Sequence, residues 1–266
     1  MKNQAFLIYE HTHEWVIEAG QKVRHFLRHK TMHFETKTDE HDLVTEMDRT
    51  IEQFFVEKIK SHYPDHQIIG EEGMSRPPQS LDGWVWLIDP IDGTSNFVSF
   101  QEDFVISVAL YHKQIGVFGY VYDVMAGKMY HAFRDKGLFI NHEPVPPLSE
   151  QKRLTDAMIA LDLHMPEEER QTNMEKIMHL TEQVRGIRIY GATALTLAKC
   201  AVGKLDAYLT FSTFPWDHAA GRILVEEAGG IVSDFNANAL SLQTPTSVVA
   251  CNRNIYSDLL GLLTHK

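Results

Sequence analysis

The stretch WVWLIDPIDGTSNF, residues 84–97, decides how the rest of this chain is read. Trp84, Val85, Trp86, Leu87 and Ile88 predict a buried strand over 84–88, and the apolar run gives way at once to Asp89 and Asp92, with Pro90 between them. Ionised carboxylates at the end of a buried strand repel one another and lose hydration unless something compensates them, and a cation is the economical answer. If the chain turns after Ile88, as Pro90 with its missing N–H permits, Asp89 and Asp92 converge on one point and the Ile91 carbonyl turns inward beside them. Carboxylate, carbonyl and water oxygens are the hard ligands magnesium takes, with coordination positions left for a phosphate. Gly93, Thr94 and Ser95 then offer backbone N–H groups at a prospective helix start, where a phosphate oxygen is favoured. Taken alone, Asp92-Gly93 is equally an ordinary turn signal.

Two further acidic stretches shift that balance. IIGEEG places Glu71 and Glu72 directly after another apolar strand candidate, Gln67–Gly70, and PWDHAAGRILVEEAGG places Asp217 at the opening of a helix. Asp217 is well suited to capping that helix, and cap and ligand are compatible roles if the helix start points into the site.

The composition bounds the partners. With 266 residues the chain is long enough for one large α/β domain or two halves sharing an interface. Its formal net charge is −11, and no lysine- or arginine-rich block offers a track for a nucleic-acid polymer. No run of 18 apolar residues suits a bilayer, and the first residues lack the pattern of a secretory signal, so a cytoplasmic protein is expected. Cys200 and Cys251, 51 positions apart, form no CxxC pair and predict buried thiols rather than a disulfide or a zinc site. His25 and His29 share an i,i+4 spacing, but without HExxH they suit a solvated helix face.

Helical periodicity predicts a first helix over 15–27 and a second through Met47, Ile51, Phe55 and Ile59, with Asp48 in its first turns. Strand patterns at 104–111, 115–122 and Lys128–Phe133 predict a central antiparallel sheet. Beyond the proline-bearing linker candidate 142–148, strands at 157–161, 187–190, 205–211, 230–234 and 247–251 alternate with helices at about 167–183, 193–202, 217–228 and 254–264, the mark of an α/β unit.

Over nearly its whole length the chain resembles the inositol monophosphatase family of magnesium-dependent, lithium-sensitive phosphatases. The motifs that carry the likeness are LVTEMD ending at Asp48, GEE at 70–72, DPIDGTSNF from Asp89 and WDHAAG from Trp216, in the family's order and similar spacing. The resemblance implies an αβαβα layered sandwich of the sugar-phosphatase type, with an N-terminal α+β half (1–145) carrying the metal and phosphate motifs. A C-terminal α/β half (146–266) would contribute Asp217 and the substrate side. It further implies that Glu71, Asp89 and the Ile91 carbonyl hold one magnesium and that Asp89, Asp92 and Asp217 hold a second, with a third, weaker ion near Glu71. Thr94, supported by Asp48 and Glu71, would orient and help deprotonate the attacking water, while the backbone at Asp92, Gly93 and Thr94 cradles the phosphate. Lithium inhibition and a homodimer follow from the same likeness.

The substrate side departs from the family pattern. Inositol-specific members carry a glutamate seven residues before the WD aspartate, where this chain has Thr210, and Thr193 in GATAL (191–195) replaces a small apolar residue. Gly191, Thr193 and Thr210 are the candidate substrate-side positions. Inositol monophosphate, NADP, fructose 1,6-bisphosphate and adenosine 3′,5′-bisphosphate all stay open as small phosphate-ester substrates. A non-catalytic binder of magnesium and phosphorylated metabolites is the competing class, against which Thr94 and Asp48 speak as water activators.

Overall fold

In the computed structural model, residues 2–29, 34–36, 43–75, 78, 80–149 and 151–264 are described, the strands at 34–36 and 43–45 by their backbone alone. The chain opens with α1 (Lys2–His29), followed by a small antiparallel pair, β1 (Phe34–Thr36) and β2 (Leu43–Thr45), and α2 (Glu46–His62). Then come β3 (Gln67–Gly70), β4 (Trp84–Asp92), the short α3 (Thr94–Ser99), β5 (Val105–His112), β6 (Ile115–Asp123), β7 (Lys128–Phe133), β8 (Gly137–Ile140) and β9 (Glu143–Pro144). The second half holds β10 (Met158–Asp162), α4 (Arg170–Gln183), β11 (Gly186–Arg188), α5 (Thr193–Ala201), β12 (Ala207–Thr213), α6 (Pro215–Glu227), β13 (Ile231–Ser233), β14 (Thr246–Cys251) and α7 (Tyr256–Thr264).

Seven strands form one sheet in sequence order β3 to β9, antiparallel except where β3 runs parallel to β4. Five strands form the other, ordered β11-β10-β12-β14-β13, with β10 parallel to both β11 and β12. Strand alternation sorts the cores. Trp86 and Ile88 of β4 face the apolar stripes of α1 and α2, including Val16, Ile51 and Phe55, whereas Val85 and Leu87 face Leu195 of α5 and Ala220 and Ile223 of α6. On the five-stranded sheet, Ala160, Tyr208 and Val248 face that same middle layer, while Ile159, Leu209 and Val249 pack with Ile177 of α4 and Leu259 of α7. Helices, sheet, helices, sheet and helices thus stack as the expected αβαβα sandwich. The middle helices sit close: a Cβ on Gly119 of β6 would lie 2.7 Å from the Ala220 carbonyl oxygen of α6.

Three expectations need correction. The first helix begins at Lys2 rather than near Trp15; Ala5 and Ile8 extend its buried stripe, but Thr12, buried with its hydroxyl donating to the Ile8 carbonyl at 2.7 Å, interrupts the apolar pattern in the sequence. The strand after Gly83 does not stop at Ile88. It continues to Asp92, and its pairing shifts from Asp89 opposite Ser107 to Asp92 opposite Val105, so three steps on β4 match two on β5. This is a β-bulge of one extra residue at Pro90 and Ile91, where proline could not have donated to the ladder. Finally, α6 starts at Pro215, so Asp217 lies inside its first turn and Phe214 is the capping residue. The linker candidate is held in place: Val145 and Leu148 pack on the middle core, and the Leu148 N–H donates to the Ala228 carbonyl at 2.9 Å.

Candidate active site

The bulge answers why a buried strand carries two acids. Residues three apart on a regular strand point to opposite faces; the extra residue brings Asp89 and Asp92 to the same face, the one turned towards α5 and α6. Both are buried, Asp89 at 2% and Asp92 at 7% exposure, and Asp48 in the first turns of α2 is 1% exposed. Burial raises the Asp89 pKa well above the carboxylate range, and the charges of Glu71, Asp92, Asp217 and Asp48 raise it further. Four acids from β4, α2, α6 and the end of β3 therefore lie near enough to Asp89 for their charges to act on it, and Asp217 lies within hydrogen-bonding reach of Asp89.

Each acid is positioned by local structure. Asp92 serves the start of α5: its Oδ1 accepts the Thr193 N–H at 2.9 Å and its Oδ2 accepts those of Ala194 at 2.7 Å and Leu195 at 3.3 Å. These three donors satisfy N–H groups that the helix itself leaves open, and they oppose the upward push of burial and of Asp217 on Asp92. Asp217 Oδ2 accepts the Thr213 hydroxyl at 2.6 Å and the Phe214 N–H at 2.9 Å, so the acid reaches back over the first turn of α6. Burial raises its pKa too. Gly93, at φ 93°, takes the left-handed conformation that launches α3 from the end of β4; a Cβ there would meet that of Ala192 at 3.0 Å. Thr94 directs its hydroxyl to the Ile91 carbonyl at 3.2 Å, bringing together two predicted site groups.

Glu52, absent from the sequence-based candidates, holds the loop carrying Glu71. It is fully buried on α2, one turn after Asp48, and its carboxylate accepts the Glu72 N–H at 2.6 Å and the Met74 N–H at 2.8 Å. Gly70 leaves the space it needs, since a Cβ at that position would lie 2.5 Å from the Glu52 carboxyl carbon. The sequence did carry a signal: positions 48, 51, 52, 55 and 59 share the buried face of α2, and two of them are acids. Asn96 was missed as well. Its side-chain amide donates to the Asp103 carbonyl at 2.9 Å and the Tyr190 carbonyl at 2.7 Å, tying α3 to the approach of Gly191.

On the substrate side, Gly191 takes a φ of 70° and its carbonyl lies 3.5 Å from where a Gly93 Cβ would stand, so this turn borders the site. Thr193 and Thr210 are buried. The Thr193 hydroxyl pairs with that of Tyr208 at 2.9 Å, and the Thr210 hydroxyl donates to the Ser212 carbonyl at 3.2 Å. Stacked rings of Phe214 and Trp216, 4.8 Å apart and 3° from parallel, come just before Asp217 in the chain, with Phe214 47% exposed.

Among the described residues no three acids, histidines or cysteines are already closed around one point as a ligand set. The donor chemistry nevertheless fits a hard cation: buried carboxylates that raise the pKa of Asp89, with a backbone carbonyl at the same turn, are oxygen ligands whose charged form a divalent ion would stabilise.

Fold and site define a phosphoric monoester hydrolase. The chain belongs to the inositol monophosphatase family, whose model matches residues 7–265. It is 37% identical over 252 residues to the inositol-1-monophosphatase of Bacillus subtilis (strain 168), covering 95% of this chain and 94% of that protein. Among solved structures it is similar to Staphylococcus aureus SaIMPase-II with inositol monophosphate bound, at TM-score 0.85 and 31% identity, covering 96% of this chain and 92% of that one. It is also similar to an IMPase/NADP phosphatase complexed with Mg2+ and phosphate, at TM-score 0.89 and 26% identity, covering 99% and 97%.

Proposed function

We propose that this protein is a magnesium-dependent phosphomonoesterase whose principal substrate is inositol monophosphate, with breadth towards other small phosphate esters such as NADP. The observation that carries this reading is the bulge in β4, which aligns Asp89 with Asp92 and surrounds Asp89 with the charges of Glu71, Asp217 and Asp48. In this reading Glu71, Asp89 and the Ile91 carbonyl hold one magnesium, Asp89, Asp92 and Asp217 hold a second, and a third, weaker ion stands near Glu71. Bound magnesium supplies Lewis-acid stabilisation of phosphoryl charge and raises the acidity of water at neutral pH. The chain's own groups do the rest. Thr94, supported by Asp48 and Glu71, orients the attacking water and helps pass its proton on to a carboxylate of that pair; the backbone at Asp92, Gly93 and Thr94 binds the phosphate oxygens; and Gly191 leaves room for the alcohol half.

The N-terminal half, 1–145, supplies metal and phosphate groups, and the C-terminal half, 146–266, supplies Asp217 and the substrate side. Lithium inhibits by competing at the second magnesium position, the protein works as a homodimer, and it resides in the cytoplasm, where the buried free thiols Cys200 and Cys251 stay reduced. Among the described residues no helix is long and apolar enough to cross a membrane. Phosphate release from inositol 1-phosphate, NADP, fructose 1,6-bisphosphate and adenosine 3′,5′-bisphosphate, with magnesium and with EDTA, tests the reading. Magnesium-dependent release led by inositol 1-phosphate is expected, and binding without turnover of any ester would overturn it.

A further inference from the structure

We infer that Asp162 is a specificity-determining residue whose carboxylate accepts hydroxyl groups of the substrate's alcohol half and so selects polyol phosphates. This rests on the phosphatase reading and extends it to the side of the site where Thr210 offers no acid.

The placement follows from strand register. Asp162 ends β10 and pairs with Thr210 of β12 across a parallel ladder, where neighbours in register point to the same face. That face is fixed by the core, since Ala160 and Tyr208, two residues back on each strand, both pack into the middle layer with α5 and α6. Asp162 therefore projects from the carboxyl end of its strand towards the starts of α5 and α6, the position at which open α/β sheets take their ligands. A line of polar groups leads towards that face from the metal-site acids: Asp92 accepts the Thr193 N–H, and the Thr193 hydroxyl meets that of Tyr208 at 2.9 Å, on the same face of β12 as Thr210, the ladder partner of Asp162.

The chemistry of the group selects its ligand. Asp162 is half-buried, and one oxygen, Oδ1, accepts the His164 N–H at 3.0 Å in a local turn. A carboxylate is acceptor-only and repels phosphate, so what it can take from a substrate on this side is a donor. Hydroxyls of a polyol are such donors, and a charge-assisted hydrogen bond to them is of the stronger kind.

The test compares inositol 1-phosphate with p-nitrophenyl phosphate, an ester with no hydroxyl on its leaving group, in the wild type, Asp162→Ala and Asp162→Glu. In Asp162→Ala the ratio of kcat/KM for inositol 1-phosphate to that for p-nitrophenyl phosphate is expected to fall about tenfold, through KM, with recovery in Asp162→Glu. A ratio within about threefold of the wild type overturns the inference, including the case in which both esters slow together because Asp162 acts on Asp217 or on magnesium. If the wild type releases phosphate from neither ester, the phosphatase reading fails separately. Calorimetric binding of inositol 1-phosphate in calcium then decides: affinity lost in Asp162→Ala supports the role, and equal affinity overturns it.

Discussion

At the residue scale the governing fact is that burial and like charge act together on Asp89. A buried acid among acids is destabilising without a cation, so Asp89→Asn carries two expectations of opposite sign. Magnesium-dependent turnover is expected to fall on the order of a thousandfold, since a neutral amide would hold magnesium less well than the carboxylate it replaces. Thermal stability in EDTA stays equal or rises, because one buried charge has gone; circular-dichroism melts read this directly. Glu52 is different, for its charge meets two backbone N–H donors. Glu52→Gln keeps the shape but weakens both bonds, and about a tenfold loss of apparent magnesium affinity is expected from activity titrations, with kcat less affected. Asp89, Asp92 and Asp217 stood out in the sequence because each interrupts or follows an apolar run. Glu52 did not, because one glutamate on a helix reads as surface until the helix's buried face is known.

At the scale of elements, the bulge in β4 and the turn after β3 place the acids, and both depend on particular backbone space. A strand-ending turn after Ile88 was the simpler reading of Pro90; pairing with β5 resumes at Asp92 instead, a long-range fact that no local pattern carries. Gly70→Ala drives a methyl group into the Glu52 carboxylate, and a loss of about 1–3 kcal/mol in urea unfolding is expected, with weaker magnesium binding. Two buried histidines brace the seven-stranded sheet, one from the turn before β3 and one from β7. His66 Nδ1 accepts the Trp86 indole N–H at 3.0 Å, and His131 joins the Tyr9 hydroxyl of α1 to the Asn141 carbonyl. Burial lowers the pKa of each to about 4. Both therefore fold as neutral imidazoles. Their stabilisation is complete above about pH 6.5, the unfolded value, and fades as pH falls towards 4, because the unfolded chain then binds protons that the folded one refuses. The raised acids of the site act in the opposite sense over the same range, so the histidine contribution is read as a difference: the stability gap between wild type and His66→Gln is expected to be wider at pH 7.5 than at pH 5.

At the scale of the whole molecule, the layers were legible because strand alternation and helix periodicity each sort residues by face. The long-range pairing that gathers the acids of β4, α2 and α6 was not, and it entered the sequence reading only through a family likeness. That the two sheets share one middle layer means the site is built from both halves of the chain, so metal binding should stabilise the whole fold. At a hundredfold excess over its dissociation constant, magnesium is expected to add about 2.7 kcal/mol to unfolding. The most direct test of the central claim, that a bulge-aligned Asp89 builds a catalytic magnesium site, is one titration of magnesium read by phosphate release from inositol 1-phosphate and by melting temperature, in wild type and Asp89→Asn. Activity and melting temperature rising together in the wild type, with neither responding in Asp89→Asn, is the predicted result. Turnover that persists in EDTA, or an Asp89→Asn variant with wild-type activity, would contradict it.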